Sequence, residues 1–208
     1  MALQYHFNKG NQRKVLLAFE EGFHGDTFGA MSVSGLSVYN GPFEDYFIEV
    51  ERIPTPTKDN VGDILQQLNS DLELKNIAGF IYEQLVQGAA AMTMHDADGL
   101  NMILELLKKH QVLLIADEVM TGFGKTGKNF ASDHIRVKPD IICLSKALSA
   151  GLLPLAVTSC TQEVFDAFYS DEISKGLFHG HTYTANPLAC VAALSGLELL
   201  QSEQIQSD

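Results

Sequence analysis

The sequence predicts an α/β fold, with three layers (α/β/α) around a mostly parallel sheet, and three observations predict it. Strand-like and helix-like segments alternate along the whole chain. The strand-like segments are short and apolar throughout, as strands covered on both faces are. Two of them run into residues that carry chemistry: Asp117 after Val112-Leu113-Leu114-Ile115-Ala116, and Lys146 shortly after Ile141-Ile142-Cys143-Leu144. Ligands of such sheets bind beyond the carboxyl ends of the strands, which is where both residues fall.

Taken in order, residues 1–7 read as the end of an amphipathic helix that runs into the turn Asn8-Lys9-Gly10-Asn11. Residues 14–20 read as a strand. Residues 26–33 read as a helix entered after Gly25, with Asp26 placed to cap it. A short strand is expected at 46–50. Residues 61–74 carry helical apolar spacing at Ile64, Leu65, Leu68 and Leu72. Strands at 77–82, 112–116, 140–144 and 155–160 alternate with helices at 100–107, 162–169 and 187–200, the last with Pro187 in its first turn. The connections 34–45 and 121–138 are long enough to shape a site. Neither end has the Pro-, Gly- or Ser-rich polar stretch of a domain boundary, so residues 1–208 are expected to be part of a larger domain.

Composition narrows the classes. Hydrophobic content of 46% with 19% charged residues is globular rather than disordered. A net charge of −12 argues against a nucleic-acid partner, whose backbone needs a basic patch. No apolar run reaches the roughly 20 residues of a membrane span, and no signal-peptide pattern opens the chain. Cys143, Cys160 and Cys190 form no C-x-x-C pair and read as buried reduced thiols, which points to a cytoplasmic protein.

A strand-end carboxylate near a strand-end lysine suits pyridoxal phosphate. Lys146 can hold the aldehyde as a Schiff base, and Asp117 can keep the pyridine nitrogen protonated so that the ring accepts electrons. Gly22-Phe23-His24-Gly25 allows a tight turn, with Phe23 able to stack on a flat ring or to pack on its own helix. Glu83 ends another apolar strand and is either a site carboxylate or a solvated loop acid. Residues 121–128 carry three glycines, but they do not follow the G-x-x-x-x-G-K-[ST] pattern and read as a mobile loop. His179-Gly180-His181-Thr182-Tyr183-Thr184 offers hydroxyls and backbone amides for a phosphate. The two histidines there lack the partners of a metal site, so no metal is expected. A lysine Schiff-base lyase without cofactor is the competing chemistry, and it leaves Asp117 and the Thr182 segment without a role.

Three segments, LLIADEVMTGFGKTGKNFA, PDIICLSKALSAG and HGHTYTANPLAC, resemble in order and spacing the class III (ω-amino acid) aminotransferases, of fold-type I among pyridoxal phosphate enzymes. GFHGDTFGAMSVSG and the last of the three look most like the biotin-pathway branch of that family; enzymes acting on ornithine, 4-aminobutyrate or lysine are the alternatives. The resemblance covers essentially the whole chain, and it implies an incomplete large domain in a homodimer with shared active sites. Small-molecule amino donors and keto acceptors are the implied partners. By the same resemblance Lys146 and Asp117 are catalytic and bind the cofactor with Phe23, His24, His181 and Thr182. Gly180, Phe23 and Lys146 are expected to line the substrate site, and Thr182 to reach the phosphate of the neighbouring subunit. Phe23 stands where the family commonly has Tyr, Gln84 where it has Pro, and His181 where the biotin branch often has Pro. Gln84 is expected to loosen its turn. Residues 1–208 alone are expected to be inactive, a truncated segment of the enzyme.

Overall fold

A computed structural model describes residues 1–202 of the chain. Six strands form one sheet in the order β2-β1-β3-β6-β7-β8: β1 (Val15–Phe19), β2 (Val50–Ile53), β3 (Ile77–Glu83), β6 (Leu113–Asp117), β7 (Ile141–Leu144) and β8 (Val157–Cys160). All neighbours are parallel except β7 and β8. A separate two-stranded hairpin, β4 (Val86–Gln87) with β5 (Thr93–Met94), follows β3.

Helices cover both faces, giving the expected three layers. On one face α3 (Val61–Leu74) and α4 (Ala97–Lys109) bury Leu68, Leu100, Leu104 and Leu107 against Leu17, Phe80 and Leu114. Each such side chain contributes about 1.5–3 kcal/mol on burial. Asp96 caps α4 by accepting from Gly99 N at 3.1 Å. On the other face α1 (Ala2–Asn8) and α5 (Gln162–Asp166) pack Ala2, Tyr5 and Val164 on Leu16, Ala78, Leu113, Ile115 and Ile141. The strands are apolar in both directions because both faces are covered.

Several boundaries differ from expectation. The edge strand β2 lies at Val50–Ile53 rather than 46–50, because residues 41–46 form a 3-10 turn that ends at Tyr46. α2 (Phe28–Val33) starts after Thr27 and has no side-chain cap, so Asp26 does not cap it. α5 stops at Asp166, short of Tyr169. The long apolar helix α6 (Pro187–Leu200) is capped by Asn186, whose side chain accepts from Ala189 N at 3.0 Å. The three cysteines are free and half-buried rather than fully buried.

Candidate active site

Parallel strands bring polar side chains to one edge of the sheet. β3 ends on Glu83 and β6 on Asp117, and the two are register partners. Asp117 is in turn paired with Cys143 of β7, and the chain leaves β7 at Leu144 and reaches Lys146 just beyond.

Asp117 is 8% exposed and makes two bonds. Its Oδ1 accepts from Val119 N at 3.0 Å, and its Oδ2 meets His24 Nδ1 at 2.7 Å. An ionised carboxylate only accepts, so His24 carries a proton on Nδ1 and donates it. The His24 side chain is 2% exposed, and its Nε2 is buried with no partner. Gly22 makes room for this ring, since a Cβ there would lie 3.1 Å from Nε2. His24 therefore faces Asp117. The Cys143 thiol beside Asp117 is pushed up to about 11, chiefly by burial and then by the Asp117 charge.

The turn that holds His24 also carries Phe23, which is 46% exposed. His24 N donates to Ser34 Oγ at 3.0 Å, and Phe23 N donates to Glu83 Oε1 at 3.1 Å. Glu83 is thus buried and bonded rather than a solvated loop acid.

A third carboxylate, Glu118, is fully buried and was not marked as a site residue from the sequence. Its Oε1 accepts from Ser132 N and Ser132 Oγ, both at 2.7 Å. Its Oε2 accepts from Thr121 Oγ1 at 2.6 Å and Ala131 N at 3.1 Å. These four bonds fold the segment after Asp117 back onto the strand end. Gln84 joins them by donating from Nε2 to Ser132 Oγ at 2.5 Å. It is buried, and its Oε1 has no partner among the described residues. The signal for Glu118 was present as a second acid directly after the first, with a hydroxyl three residues on.

Lys146 opens a 3-10 turn, Lys146–Ser149, with φ of 43°. That is the left-handed region, where a side chain is strained by about 1–2 kcal/mol. Among the described residues its amine has no hydrogen bond or ion pair. It is exposed, not desolvated among small and apolar side chains. Ser145 and Ala147 beside it are too small to cover a four-carbon stem. Ser145 Oγ holds the turn by donating to Leu155 O at 2.7 Å.

A groove of about 1710 Å³ runs along the α1 face, floored by Ile81, Ile115 and Cys143. His24, Ser145, Gly180 and His181 all line it. The wall bearing Gly180 is tied to α1, where Gln4 Nε2 donates to Gly176 O at 2.9 Å and Asn8 Nδ2 to Lys175 O at 2.9 Å. Phe23, Asp117, Lys146 and Thr182 do not line the groove, so of the three residues expected at the substrate site only Gly180 does; Thr182 is exposed in the turn that His181 and Thr184 close, with Thr184 N donating to His181 O at 2.9 Å. The glycine-rich segment 121–128 is a series of turns with Gly124 and Gly127 at positive φ, and no helix follows it directly.

Beside this mostly parallel α/β sheet, with an Asp–His pair and a lysine that has no partner among the described residues at its carboxyl edge, stands the sequence profile of the class III aminotransferases, which matches residues 1–208. The chain belongs to that family. It is 43% identical, over 96% of its length, to adenosylmethionine-8-amino-7-oxononanoate aminotransferase of Synechococcus elongatus, of which it covers 49%. Among solved structures, the aminotransferase of the same name from Methanocaldococcus jannaschii is 36% identical with a TM-score of 0.91 over 99% of this chain and 48% of that one. An amine transaminase from an uncultivated Pseudomonas species, solved in its pyridoxal phosphate-bound form, is 32% identical with a TM-score of 0.87 over 98% of this chain and 49% of that one. The chain spans about half the length of the curated relatives it matches.

Proposed function

We propose that residues 1–208 form part of the pyridoxal phosphate-binding large domain of an aminotransferase that moves an amino group from S-adenosylmethionine to 8-amino-7-oxononanoate in biotin biosynthesis. The observation that carries the cofactor reading is the buried Asp117–His24 pair at one strand end, with the unpartnered Lys146 after the neighbouring strand. The donor and acceptor rest on the names that the relatives carry.

The residues fit the group. Glu83, Asp117 and Glu118 are all buried, and among the described residues the one ion-pair partner at this edge is His24. Asp117 is therefore suited to a cationic ring nitrogen, whose charge it would favour in a low-dielectric site. Bound pyridoxal phosphate supplies an electron-accepting ring that takes up the electron pair freed at the substrate carbon. Lys146 Nζ would bind the aldehyde carbon, and once released would carry a proton to and from the substrate α-carbon. Phe23 would cover one ring face, with any phenol hydrogen bond of the usual Tyr lost. His24 would hold Asp117 in orientation and fix its acceptor direction. Gly180 would leave room for substrate, while His181 and Thr182 would serve the phosphate of a second copy in a cytoplasmic homodimer. The exposure of Thr182 in this chain supports that use.

Amino transfer to 8-amino-7-oxononanoate, measured in the complete polypeptide that carries this domain, tests the reading. S-adenosylmethionine should serve as donor. Transfer from ornithine, 4-aminobutyrate or lysine with none from S-adenosylmethionine would replace it with another class III activity.

A further inference from the structure

The geometry points to Glu83 as a positioning residue that fixes the aromatic ring of Phe23 where a flat cofactor would lie against it. This inference rests on the cofactor reading above.

Glu83 is the last residue of β3 and is 7% exposed. Its two oxygens serve two different loops: Oε1 accepts from Phe23 N at 3.1 Å, and Oε2 from Gly88 N at 2.9 Å. No cation pairs with it among the described residues. A buried carboxylate without a cation is costly, and what this side chain alone provides is two acceptors and no donor. That matches two backbone N–H groups arriving from opposite sides.

Glu83 also acts in concert with its neighbour. Glu83 and Asp117 are register partners on adjacent strands, and they grip consecutive residues of one turn. Glu83 holds the backbone of Phe23, and Asp117 holds the side chain of His24. The Phe23 ring makes no aromatic contact among the described residues and the residue is 46% exposed, so what Glu83 fixes is the backbone point from which the ring projects. Glu83 and Asp117 therefore fix the ring and the nitrogen-facing carboxylate relative to each other.

Glu83→Gln keeps shape and volume but turns one acceptor into a donor, so one of the two N–H groups loses its partner. The expected result is pyridoxal phosphate binding about tenfold weaker, the effect of one charge-assisted hydrogen bond. It is tested on the full chain by titration with pyridoxal phosphate, following the induced circular dichroism of the bound chromophore. Borohydride fixation mapped to Lys146, and amide hydrogen exchange at Phe23 and Gly88 without cofactor, accompany it. Glu83→Gln should weaken binding, change the induced signal and speed exchange at one or both amides. In a Phe23→Leu background the same substitution should have little further effect on binding, which a merely structural role would not produce. A chain without label on Lys146 overturns the cofactor reading and the inference with it. A labelled chain in which Glu83→Gln binds and signals like the unsubstituted protein, or weakens binding equally with and without the Phe23 ring, overturns the inference alone.

Discussion

Lys146 combines an exposed, unpartnered amine with a strained backbone, and the two can be separated experimentally. Its φ of 43° costs a residue with a Cβ about 1–2 kcal/mol. Glycine relieves that cost but loses about 0.5–1 kcal/mol through the greater freedom of its unfolded chain. Lys146→Ala is the proper reference, because it removes the amine and stem while keeping the Cβ. Little packing is lost in either variant, since the side chain is exposed. Lys146→Gly should then be more stable than Lys146→Ala by about 0.5–1 kcal/mol. With a urea slope of about 2 kcal/mol per molar, the unfolding midpoint moves up by about 0.3–0.5 M. The chain has no tryptophan, so far-ultraviolet circular dichroism is the natural probe. Coincident midpoints, or a more stable alanine variant, would refute strain in this turn. The predicted ordering means that stability has been given up to aim a side chain, as happens at functional sites.

Three further outcomes follow from the same contacts. Glu118→Ala orphans the buried amides of Ala131 and Ser132 and should cost about 3 kcal/mol in urea unfolding; a loss under 1 kcal/mol would mean that Glu118 does not anchor this segment. Burial holds the His95 imidazole down to about 4, below its ordinary 6.5, so the folded state favours the neutral ring. Its contribution is complete above pH 6.5 and is lost as pH falls toward 4, by at most about 3 kcal/mol; His95→Leu should flatten that part of the stability profile, and an unchanged profile would contradict it. Asp117→Asn in the complete polypeptide should keep part of the cofactor binding and lose most of the turnover, because a neutral amide no longer favours a protonated ring nitrogen; native turnover would remove Asp117 from the chemistry.

The parts of this fold that were legible in the sequence are those in which one segment carries its own signal. β6 and β7 are uninterrupted apolar runs, and α3 and α4 show helical spacing in long windows. Asp117 and Lys146 stood out because each interrupts or follows such a run. β2 was displaced because Tyr46-Phe47-Ile48 is the more apolar stretch, while Val50–Ile53 holds two charged residues between two apolar ones as an edge strand bonded to β1 alone. The β4–β5 hairpin has two residues per strand, and its turn places Ala91 and Met92 at positive φ where glycine would have given notice. The direction of β8 has no local signature at all. At the site, the contacts that define geometry join distant segments: His24 to Asp117, Glu83 to Phe23, Glu118 to Ser132. Sequence identifies the strand ends, and only the register of adjacent strands shows which side chains meet there.

The most direct test of a pyridoxal phosphate site at this edge is chemical. The full chain is incubated with pyridoxal phosphate and reduced with borohydride, and the modified peptide is mapped. A stable adduct on Lys146, absent from Lys146→Ala, is the predicted result. No adduct, or one distributed over Lys125, Lys128 and the other exposed lysines with Lys146 unmodified, would contradict it.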